Sequence, residues 1–315
     1  MKKLDRQRAL AIAICCAVVL LIIAVITTAL TDEEDKLEAL PAATLHAESF
    51  KYEPMDGLST TAPQAFVYDV NEDKFLLLKG EDKVIYPAST TKLLTALLAL
   101  EYLSPDEIIV CGEEVSYIES GSSIAYIKEG MSLSVEMLIE GMLLPSGNDA
   151  AYALAAATGR KIAENKDMTP REAVDTFIER MNSYAKEIGL CGSNFCVPDG
   201  YYGDEHYSTI EDMMIVSRLA MKNEVIMKYA GISEQFVVYE SGESNTWVNT
   251  NLCLDEDSPY YCRYINGLKT GSLDDYYNII CTASFGEKDC IIGLFGLETK
   301  EIRYSEAKKL AEKLF

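Results

Sequence analysis

The feature that most restricts the fold is a long helical block between two strand-rich segments. Apolar residues recur at helical spacing within residues 87–230, as in SVEMLIEGMLL and DAAYALAAATG. AFVYDVNEDKFLLLKG predicts an earlier hairpin that turns at residues 71–74, and strand-like runs return from about residue 235. Within the block, Ser208 and Glu211 predict a helix capping box, and RYSEAKKLAEKLF predicts a last helix. This order favours an α+β domain whose antiparallel, about five-stranded sheet is flanked by helices, with the helical block inserted.

A second feature is the apolar run at residues 9–31, which contains no charged side chain. A helix of this length, rising about 1.5 Å per residue, spans the roughly 30 Å hydrocarbon core of a bilayer. Basic residues precede the run and four acidic residues follow it, so we expect a single-pass anchor with its N-terminus in the cytoplasm. A cleaved signal peptide, giving a secreted protein, is the alternative. The predicted organisation is a cytoplasmic stub and anchor at 1–31, an acidic linker at 32–62 and an exported domain at 63–315.

The charge and histidine content exclude several functions. The chain carries 28 Lys and Arg against 50 Asp and Glu, a net charge of −22. Such a surface repels phosphate backbones, so nucleic acid is not an expected partner. His46 and His206 are the only histidines, which argues against a histidine-based metal cluster and against a Ser-His-Asp triad. We therefore expect no metal and no other cofactor.

Nine cysteines are present, two in the apolar run and seven after it. An exported location permits disulfides, and Cys191 with Cys196 or Cys253 with Cys262 could close short loops. The odd number of exported cysteines leaves at least one thiol per chain unpaired, unless chains cross-link. The spacing does not match a zinc ribbon.

The stretch YPASTTKLLTALLAL places a serine and a lysine at the start of an apolar helix. Ser89 and Lys92 are three residues apart, so the lysine amine can reach the serine hydroxyl. The helix N-terminus favours negative charge on the serine, and the leucines around Lys92 would desolvate the amine and lower its pKa. A neutral amine can take the serine proton and activate a nucleophile. Taken alone, the stretch slightly favours an ordinary helix cap with a lysine that reaches solvent.

Two further motifs reverse that balance. LLPSGNDAA places Ser146 and Asn148 in a tight turn between apolar helices, where a hydroxyl and a carboxamide can face one cleft. INGLKTGS places Lys269, Thr270 and Gly271 on a strand, where the glycine would let a ligand's backbone lie close. Each motif is common alone. Ser-x-x-Lys, Ser-x-Asn and Lys-Thr-Gly in this order form the set found in penicillin-recognising serine enzymes.

Across residues 63–315 the sequence resembles the low-molecular-mass penicillin-binding proteins of the D-alanyl-D-alanine carboxypeptidase family. Besides the three motifs, GSSIAYIKEGMSLSVEMLIEGMLL, HYSTIEDM, NTNLC and the AKKLAEKLF ending are similar to the family's pattern. The resemblance implies a β-lactamase/DD-peptidase-like fold. It also implies a membrane-bound serine carboxypeptidase that removes the terminal D-Ala from peptidoglycan stem pentapeptides and is acylated by β-lactams.

The resemblance implies a role for each matching residue. Ser89 would attack the penultimate D-Ala carbonyl, with Lys92 as its base. The backbone N–H groups of Ser89 and Ser272 would form the oxyanion hole. Ser146 would pass a proton to the departing D-Ala, and water activated by Lys92 would then release the acyl-enzyme.

The remaining matches concern substrate binding. Asn148 would hold the peptide and help to position Lys92. Lys269 would supply positive charge, which would also keep Lys92 neutral. Thr270 would bind the terminal carboxylate, and Arg303 is similar to a family arginine near that group. An ordinary surface arginine is the alternative for Arg303.

The sequence departs from the family's pattern near the rim of the expected cleft. Ser272 follows Lys-Thr-Gly where an aromatic residue or histidine is usual, and residues 276–277 are tyrosines where a small Ala-Gly pair is common. Val197 and Tyr201 replace a usual asparagine and leucine. His206 matches a family position outside the catalytic set and is expected to be structural. These changes put the substrate preference in doubt, but not the core chemistry.

Other functions remain open on the sequence alone. A β-lactamase or a DD-endopeptidase would use the same three motifs. The Glu-x-x-Leu-Asn loop that drives deacylation in class A β-lactamases is not found in this sequence. A non-catalytic wall-binding module is the third possibility, if the tyrosines block the cleft.

Overall fold

The computed structural model describes residues 50–315, apart from residues 202 and 204. The predicted anchor and most of the predicted linker lie outside these residues. Within the described part of the chain, no helix is both long enough and apolar enough to cross a membrane.

The strands come mainly from the two ends of the described chain. They are β1 (Lys51–Tyr52), β2 (Gln64–Asp69), β3 (Lys74–Lys79), β4 (Ile108–Val110), β5 (Ser132–Ser134), β6 (Glu234–Val238), β7 (Ser244–Val248), β8 (Lys269–Leu273), β9 (Tyr276–Phe285) and β10 (Lys288–Leu297). Six of them form one sheet in the order β1-β3-β2-β10-β9-β8, while β4–β5 and β6–β7 are separate antiparallel pairs. Five neighbouring strands of the large sheet are antiparallel, as predicted, and the short β1 adds a parallel edge.

The helices fill the predicted central block and close the chain. They are α1 (Lys92–Tyr102), α2 (Val135–Leu143), α3 (Asn148–Ile162), α4 (Pro170–Glu187), α5 (Ile210–Lys222), α6 (Glu224–Ala230) and α7 (Lys300–Leu314). Helix α5 begins one residue later than predicted, because Thr209 caps it by accepting a hydrogen bond from the Asp212 N–H at 3.1 Å. Ser208 is not the cap, since its backbone pairs in both directions with Ile85.

The large sheet lies between two apolar layers, and strand periodicity assigns side chains to them. Phe66 and Tyr68 of β2 pack towards the helical block, while Ala65 and Val67 pack on the opposite face with α7. Both faces are buried, which explains why the four central residues of β2 are all apolar or aromatic.

The last residues of the predicted linker at 32–62 contact the sheet and its helices. Lys51–Tyr52 pair with β3, and Leu58 and Ala62 are buried in the layer that contains α7. The segment shows no strand or helix period because it makes these contacts through a two-residue strand and isolated side chains.

The disulfide considered between Cys253 and Cys262 is not formed. In the described part of the chain both residues are thiols, as are Cys111, Cys281 and Cys290. The Cys191 sulfur lies 3.5 Å from the Gly189 carbonyl oxygen, and the Cys196 sulfur lies 3.5 Å from Asn194 Nδ2. The Cys253 thiol donates towards the Tyr304 carbonyl at 3.7 Å.

Candidate active site

Ser89 lies in a short 3-10 turn, Ala88–Thr91, that leads directly into α1. Lys92 is therefore the first residue of the helix. Ala88 adopts φ = +50°, a left-handed conformation that is unfavourable for alanine and must be held by its surroundings. Gly200 packs on this turn so closely that a Cβ would lie 1.9 Å from the Ala88 carbonyl oxygen.

Lys92 is fully buried, and three oxygens surround its amine. The Nζ atom lies 2.7 Å from Ser89 Oγ, 2.7 Å from Asn148 Oδ1 and 2.9 Å from the Asp199 carbonyl oxygen. Burial lowers the pKa of Lys92 to about 8, although the carboxylates of Asp199 and Asp149 oppose the shift. A neutral amine has two hydrogens for the two carbonyl acceptors and one lone pair, which then faces the Ser89 hydroxyl. This arrangement suits Lys92 to accept the serine proton.

The orientation of the Asn148 amide follows from its other contacts. Its Nδ2 donates to Ser122 Oγ at 2.9 Å, so the Oδ1 atom faces Lys92. Its backbone N–H donates to the Ser123 carbonyl at 2.8 Å. Ser146, with φ = +63°, makes no hydrogen bond through its hydroxyl with any other described residue, and it lines the cavity described below. The sequence indicated Asn148 and Ser146 but assigned no role to Ser122 or Ser123.

Strand β8 places Lys269 and Thr270 on the other side of the site from Ser146 and Asn148. Lys269 is almost fully buried, and its Nζ donates to the Thr270 carbonyl at 3.0 Å. Burial lowers its pKa well below the usual value, and the charges of Lys92 and Arg303 lower it further. The hydroxyls of Thr270 and Thr250 are 2.6 Å apart. Thr250 was not predicted, because only the fold brings its loop to β8.

The structure shows a second reason for a glycine at position 271. A Cβ at this position would lie 2.8 Å from the Pro87 carbonyl oxygen, 3.1 Å from the Ala88 Cβ and 3.3 Å from the Ser89 nitrogen. The glycine therefore allows β8 to approach the turn that carries Ser89. Asn278 of β9 secures the same turn by donating to the Pro87 carbonyl at 3.2 Å.

Arg303 is buried beneath β8, so it is not an ordinary surface arginine. Its Nη1 donates to the Gly271 carbonyl at 3.1 Å and to Ser272 Oγ at 2.9 Å, and its Nη2 donates to the Tyr304 hydroxyl at 2.5 Å. No described carboxylate forms an ion pair with it, and its Nε has no partner among the described residues. A buried guanidinium without a counter-charge is suited to bind an anion.

His206 is structural in this arrangement. Its Nδ1 accepts from the Cys196 N–H at 3.1 Å, so the ring proton lies on Nε2, which is 2.9 Å from Thr91 Oγ1. Burial lowers the pKa of His206 to about 4 and keeps the ring neutral.

A cavity of about 420 Å³ joins the two walls. Six of the predicted residues line it, namely Ser89, Ser146, Asn148, Thr270, Ser272 and Arg303. Tyr277 also lines it, whereas Tyr276 packs against the Tyr86 ring with centroids 6.0 Å apart. The predicted residues Lys92, Lys269 and Gly271 are not part of this lining. The cavity thus presents a serine nucleophile that contacts the buried Lys92 amine, and a wall that carries the Arg303 guanidinium (the cationic wall), which suits acyl transfer from a substrate that ends in a carboxylate.

Comparisons with known proteins identify the family of this chain. A sequence profile described as D-alanyl-D-alanine carboxypeptidase matches residues 48–299. The D-alanyl-D-alanine carboxypeptidase DacF of Bacillus subtilis is 28% identical over 264 residues, which cover 82% of this chain and 63% of that protein. For DacA of Escherichia coli K12 the identity is 28% over 279 residues, with coverages of 84% and 64%. The chain therefore spans slightly less than two thirds of these relatives' length.

Solved structures show the same fold. The Streptomyces K15 DD-transpeptidase superposes with a TM-score of 0.72 at 28% identity, covering 81% of this chain and 97% of that one. Penicillin-binding protein D2 from Listeria monocytogenes in its ampicillin-bound form gives a TM-score of 0.65 at 28% identity, with coverages of 82% and 98%. The expected DD-peptidase-like fold is confirmed.

Proposed function

Because the chain belongs to the D-alanyl-D-alanine carboxypeptidase family, we propose that it is a serine-type carboxypeptidase that removes the terminal D-Ala from peptidoglycan stem pentapeptides. The observation that carries the proposal is the placement of the buried Lys92 amine 2.7 Å from the Ser89 hydroxyl, at the edge of a cavity with a cationic wall. The family match and the DD-peptidase fold support it.

In the first half of the proposed reaction, the Lys92 amine takes the proton of Ser89. The serine oxygen then bonds to the carbonyl carbon of the penultimate D-Ala. The backbone N–H groups of Ser89 and Ser272, two residues that line the cavity, stabilise the resulting oxyanion. The C–N bond breaks, and the leaving D-Ala receives a proton through the Ser146 hydroxyl.

In the second half, water replaces the departed D-Ala. Lys92 takes a proton from this water as its oxygen attacks the acyl carbon, and Ser89 regains its proton when the ester bond breaks. Both halves require the neutral form of the amine, which the burial of Lys92 favours.

Recognition of the substrate's free carboxylate is assigned to Arg303 and Thr270. Arg303 supplies a permanent positive charge at the cavity, whereas burial disfavours the charged form of Lys269. A bound carboxylate favours that charged form, so Lys269 would gain its proton as substrate enters. We therefore expect Lys269 to contribute positive charge to the site only while a carboxylate is bound.

β-Lactams are the proposed inhibitors, since an acyl-enzyme on Ser89 would form with them in the same way. The ampicillin-bound relative from Listeria monocytogenes supports this. We also propose that residues 9–31 anchor the chain in the cytoplasmic membrane, with the catalytic domain outside the cell. The uncharged apolar run and the charge difference on its two sides support this location.

Two assays on the full-length protein test the function. Incubation with a stem pentapeptide should release one alanine, detected by mass spectrometry, and a fluorescent penicillin should label the protein stably. Ser89→Ala should abolish both signals. Ser183→Ala, which changes an exposed serine on α4, should leave both intact.

The alternatives give different results in the same assays. Rapid turnover of the penicillin would indicate a β-lactamase, and preferential cleavage of cross-linked peptide dimers would indicate an endopeptidase. Folded protein that neither labels nor cleaves would contradict every enzymatic assignment and favour a wall-binding module.

A further inference from the structure

Trp247 of β7 and Tyr239, which directly follows β6, both bind the carbonyl group of Ala125. The Trp247 Nε1–H and the Tyr239 hydroxyl both donate to the Ala125 carbonyl oxygen, each at 3.0 Å. Both aromatic side chains are buried. A carbonyl oxygen has two lone pairs, so these two donors satisfy it completely.

The other side of Ala125 is attached to the helix that carries Asn148. The Ala125 N–H donates to the two carboxylate oxygens of Asp149 at 2.9 and 3.1 Å, and the Ile127 N–H donates to the same group at 2.9 Å. Asp149 directly follows Asn148 in α3. The loop around Ala125 is therefore held between the aromatic pair and the catalytic wall.

The two glycines nearest to Ala125 have no room for a side chain. A Cβ at Gly147 would lie 2.8 Å from the Ala125 Cβ. A Cβ at Gly141 would lie 3.0 Å from the same atom and 3.1 Å from the Trp247 ring. Because real side chains do not approach so closely, a shift of the indole would be transmitted to Ala125 and to the turn around Gly147.

The loop that contains Ala125 also supplies the groups that orient the Asn148 amide. Ser122 Oγ and the Ser123 carbonyl accept from Asn148, and both precede Ala125 by only two or three residues. A displacement of this loop would therefore move the Asn148 Oδ1 atom relative to the Lys92 amine, 2.7 Å away.

We propose that Trp247 and Tyr239 are positioning residues: by holding the Ala125 carbonyl they align Asn148, and through it Lys92, for acylation of Ser89. The inference rests on the proposed function for its catalytic consequence. The structural consequence, the alignment of the Asn148 amide, stands independently of the reaction.

The test uses three variants: Trp247→Phe, Tyr239→Phe and the double variant that carries both changes. Phe236→Leu is the control. Each of the first two removes one donor while keeping an aromatic ring, and Phe236 lies on the exposed face of the same strand pair. We expect the acylation rate constant for a penicillin to fall about 10-fold in each single variant and further in the double variant, with initial binding affinity unchanged. Phe236→Leu should react like the original chain.

The pH profile separates positioning from general destabilisation. The Asn148 Oδ1 atom accepts from Lys92 and so favours the protonated amine, hence a loosened Asn148 should move the midpoint of acylation to lower pH. If Trp247 and Tyr239 only stabilised the fold, their replacement would lower the fraction of protein that reacts and leave the pH midpoint of acylation unchanged. The proposal would be overturned if the acylation rate constant were unchanged in folded Trp247→Phe and Tyr239→Phe. It would also be overturned if the activity lost in each variant equalled its unfolded fraction.

A second measurement does not depend on activity. In ¹⁵N-labelled full-length protein, Asn148→Asp identifies the side-chain amide signals of Asn148. These signals should shift or broaden in Tyr239→Phe and stay in place in Phe236→Leu. If they stay in place in Tyr239→Phe as well, the positioning role is wrong whether or not the chain is a carboxypeptidase. If they move but the original chain neither labels nor cleaves, only the proposed function fails.

Discussion

The Arg303 guanidinium donates a hydrogen bond to the Ser272 hydroxyl across 2.9 Å, and so connects helix α7 to the residue that departs from the family's pattern after Lys-Thr-Gly. The same Nη1 atom reaches the Gly271 carbonyl. Because the Ser272 oxygen accepts from Arg303, its own hydrogen is directed elsewhere and is available to an anion in the cavity. Ser272 therefore adds a hydrogen-bond donor for the substrate beside the Arg303 guanidinium.

Ser272→Ala should weaken recognition of a substrate carboxylate selectively. A hydrogen bond to a charged group contributes about 1.5–3 kcal/mol, so kcat/KM for a peptide with a free C-terminus should fall roughly 10-fold or more. A C-terminal amide of the same peptide should lose much less. Equal losses for acid and amide would contradict this role. Ser284→Ala, a serine of β9 away from the cavity, serves as the control.

Acylation should depend on pH through Lys92. The amine must be neutral to take the Ser89 proton, and burial lowers its pKa to about 8. The second-order rate constant for β-lactam acylation should therefore rise with pH and level off above about pH 8. Stopped-flow measurements from pH 6 to 10 would show it. A rate that stays constant between pH 6 and 9 would exclude Lys92 as the base.

Gly271→Ala should disable the nucleophile without unfolding the chain. The new methyl group would lie 2.8 Å from the Pro87 carbonyl oxygen and 3.3 Å from the Ser89 nitrogen, so β8 and the Ser89 turn must separate. Because a misplacement of about 1 Å can cost a hundredfold in rate, we expect at least that loss in acylation. Thermal denaturation monitored by circular dichroism should still show one cooperative transition.

A control for this variant is Gly130→Asn. A side chain at Gly130 meets nothing within 4 Å, and asparagine tolerates its positive φ of 86°. Normal acylation by Gly271→Ala would show that the close contact between β8 and the nucleophile turn is not needed for the reaction.

Glu140→Gln should stabilise the protein in a pH-dependent manner. Glu140 of α2 is buried, and its Oε1 has no partner among the described residues. Burial raises its pKa to about 7, with Lys228 lowering it and Glu136 raising it further. The folded state thus favours the protonated acid, and the associated stability is lost as the pH rises from about 4.5 through about 7.

Glutamine keeps the shape of the side chain without its charge, so at pH 8 the variant should melt at a higher temperature than the original chain. The expected difference is about 2–4 °C for each kcal/mol gained in the free energy of unfolding. At pH 5 the two proteins should melt nearly together. Differential scanning calorimetry at both pH values would measure this. The same difference at pH 5 and pH 8 would show that ionisation of Glu140 is not its cause.

Local patterns predicted what depends on neighbours in the chain. Residues 71–74 were predicted as a turn, and the Asp69 carboxylate indeed accepts from the Asn71 and Glu72 N–H groups there. The capping box at Ser208 was wrong, because a long-range pairing with Ile85 holds that residue in an extended conformation. A competing contact from a distant segment is invisible to a rule based on spacing.

The same limit applies to the site. The leucines after Lys92 indicated burial correctly, but the atoms that contact its amine come from Ser89, Asn148 and Asp199. Asp199 lies 107 residues from Lys92, so no local signal identified it. Trp247 contacts Ala125 across 122 residues and was overlooked for the same reason.

By itself, the sequence determined the order of strands and helices, the chemical types of the reacting groups and the pairing of Ser89 with Lys92, because these depend on short spacings along one chain segment. Only the tertiary structure decided that Arg303 is a buried cation at the cavity, that Gly271 serves the approach of β8 to the nucleophile turn, and that Tyr277 but not Tyr276 reaches the substrate side. These properties arise where distant segments pack, and packing depends on the three-dimensional fit of side chains that no periodicity encodes.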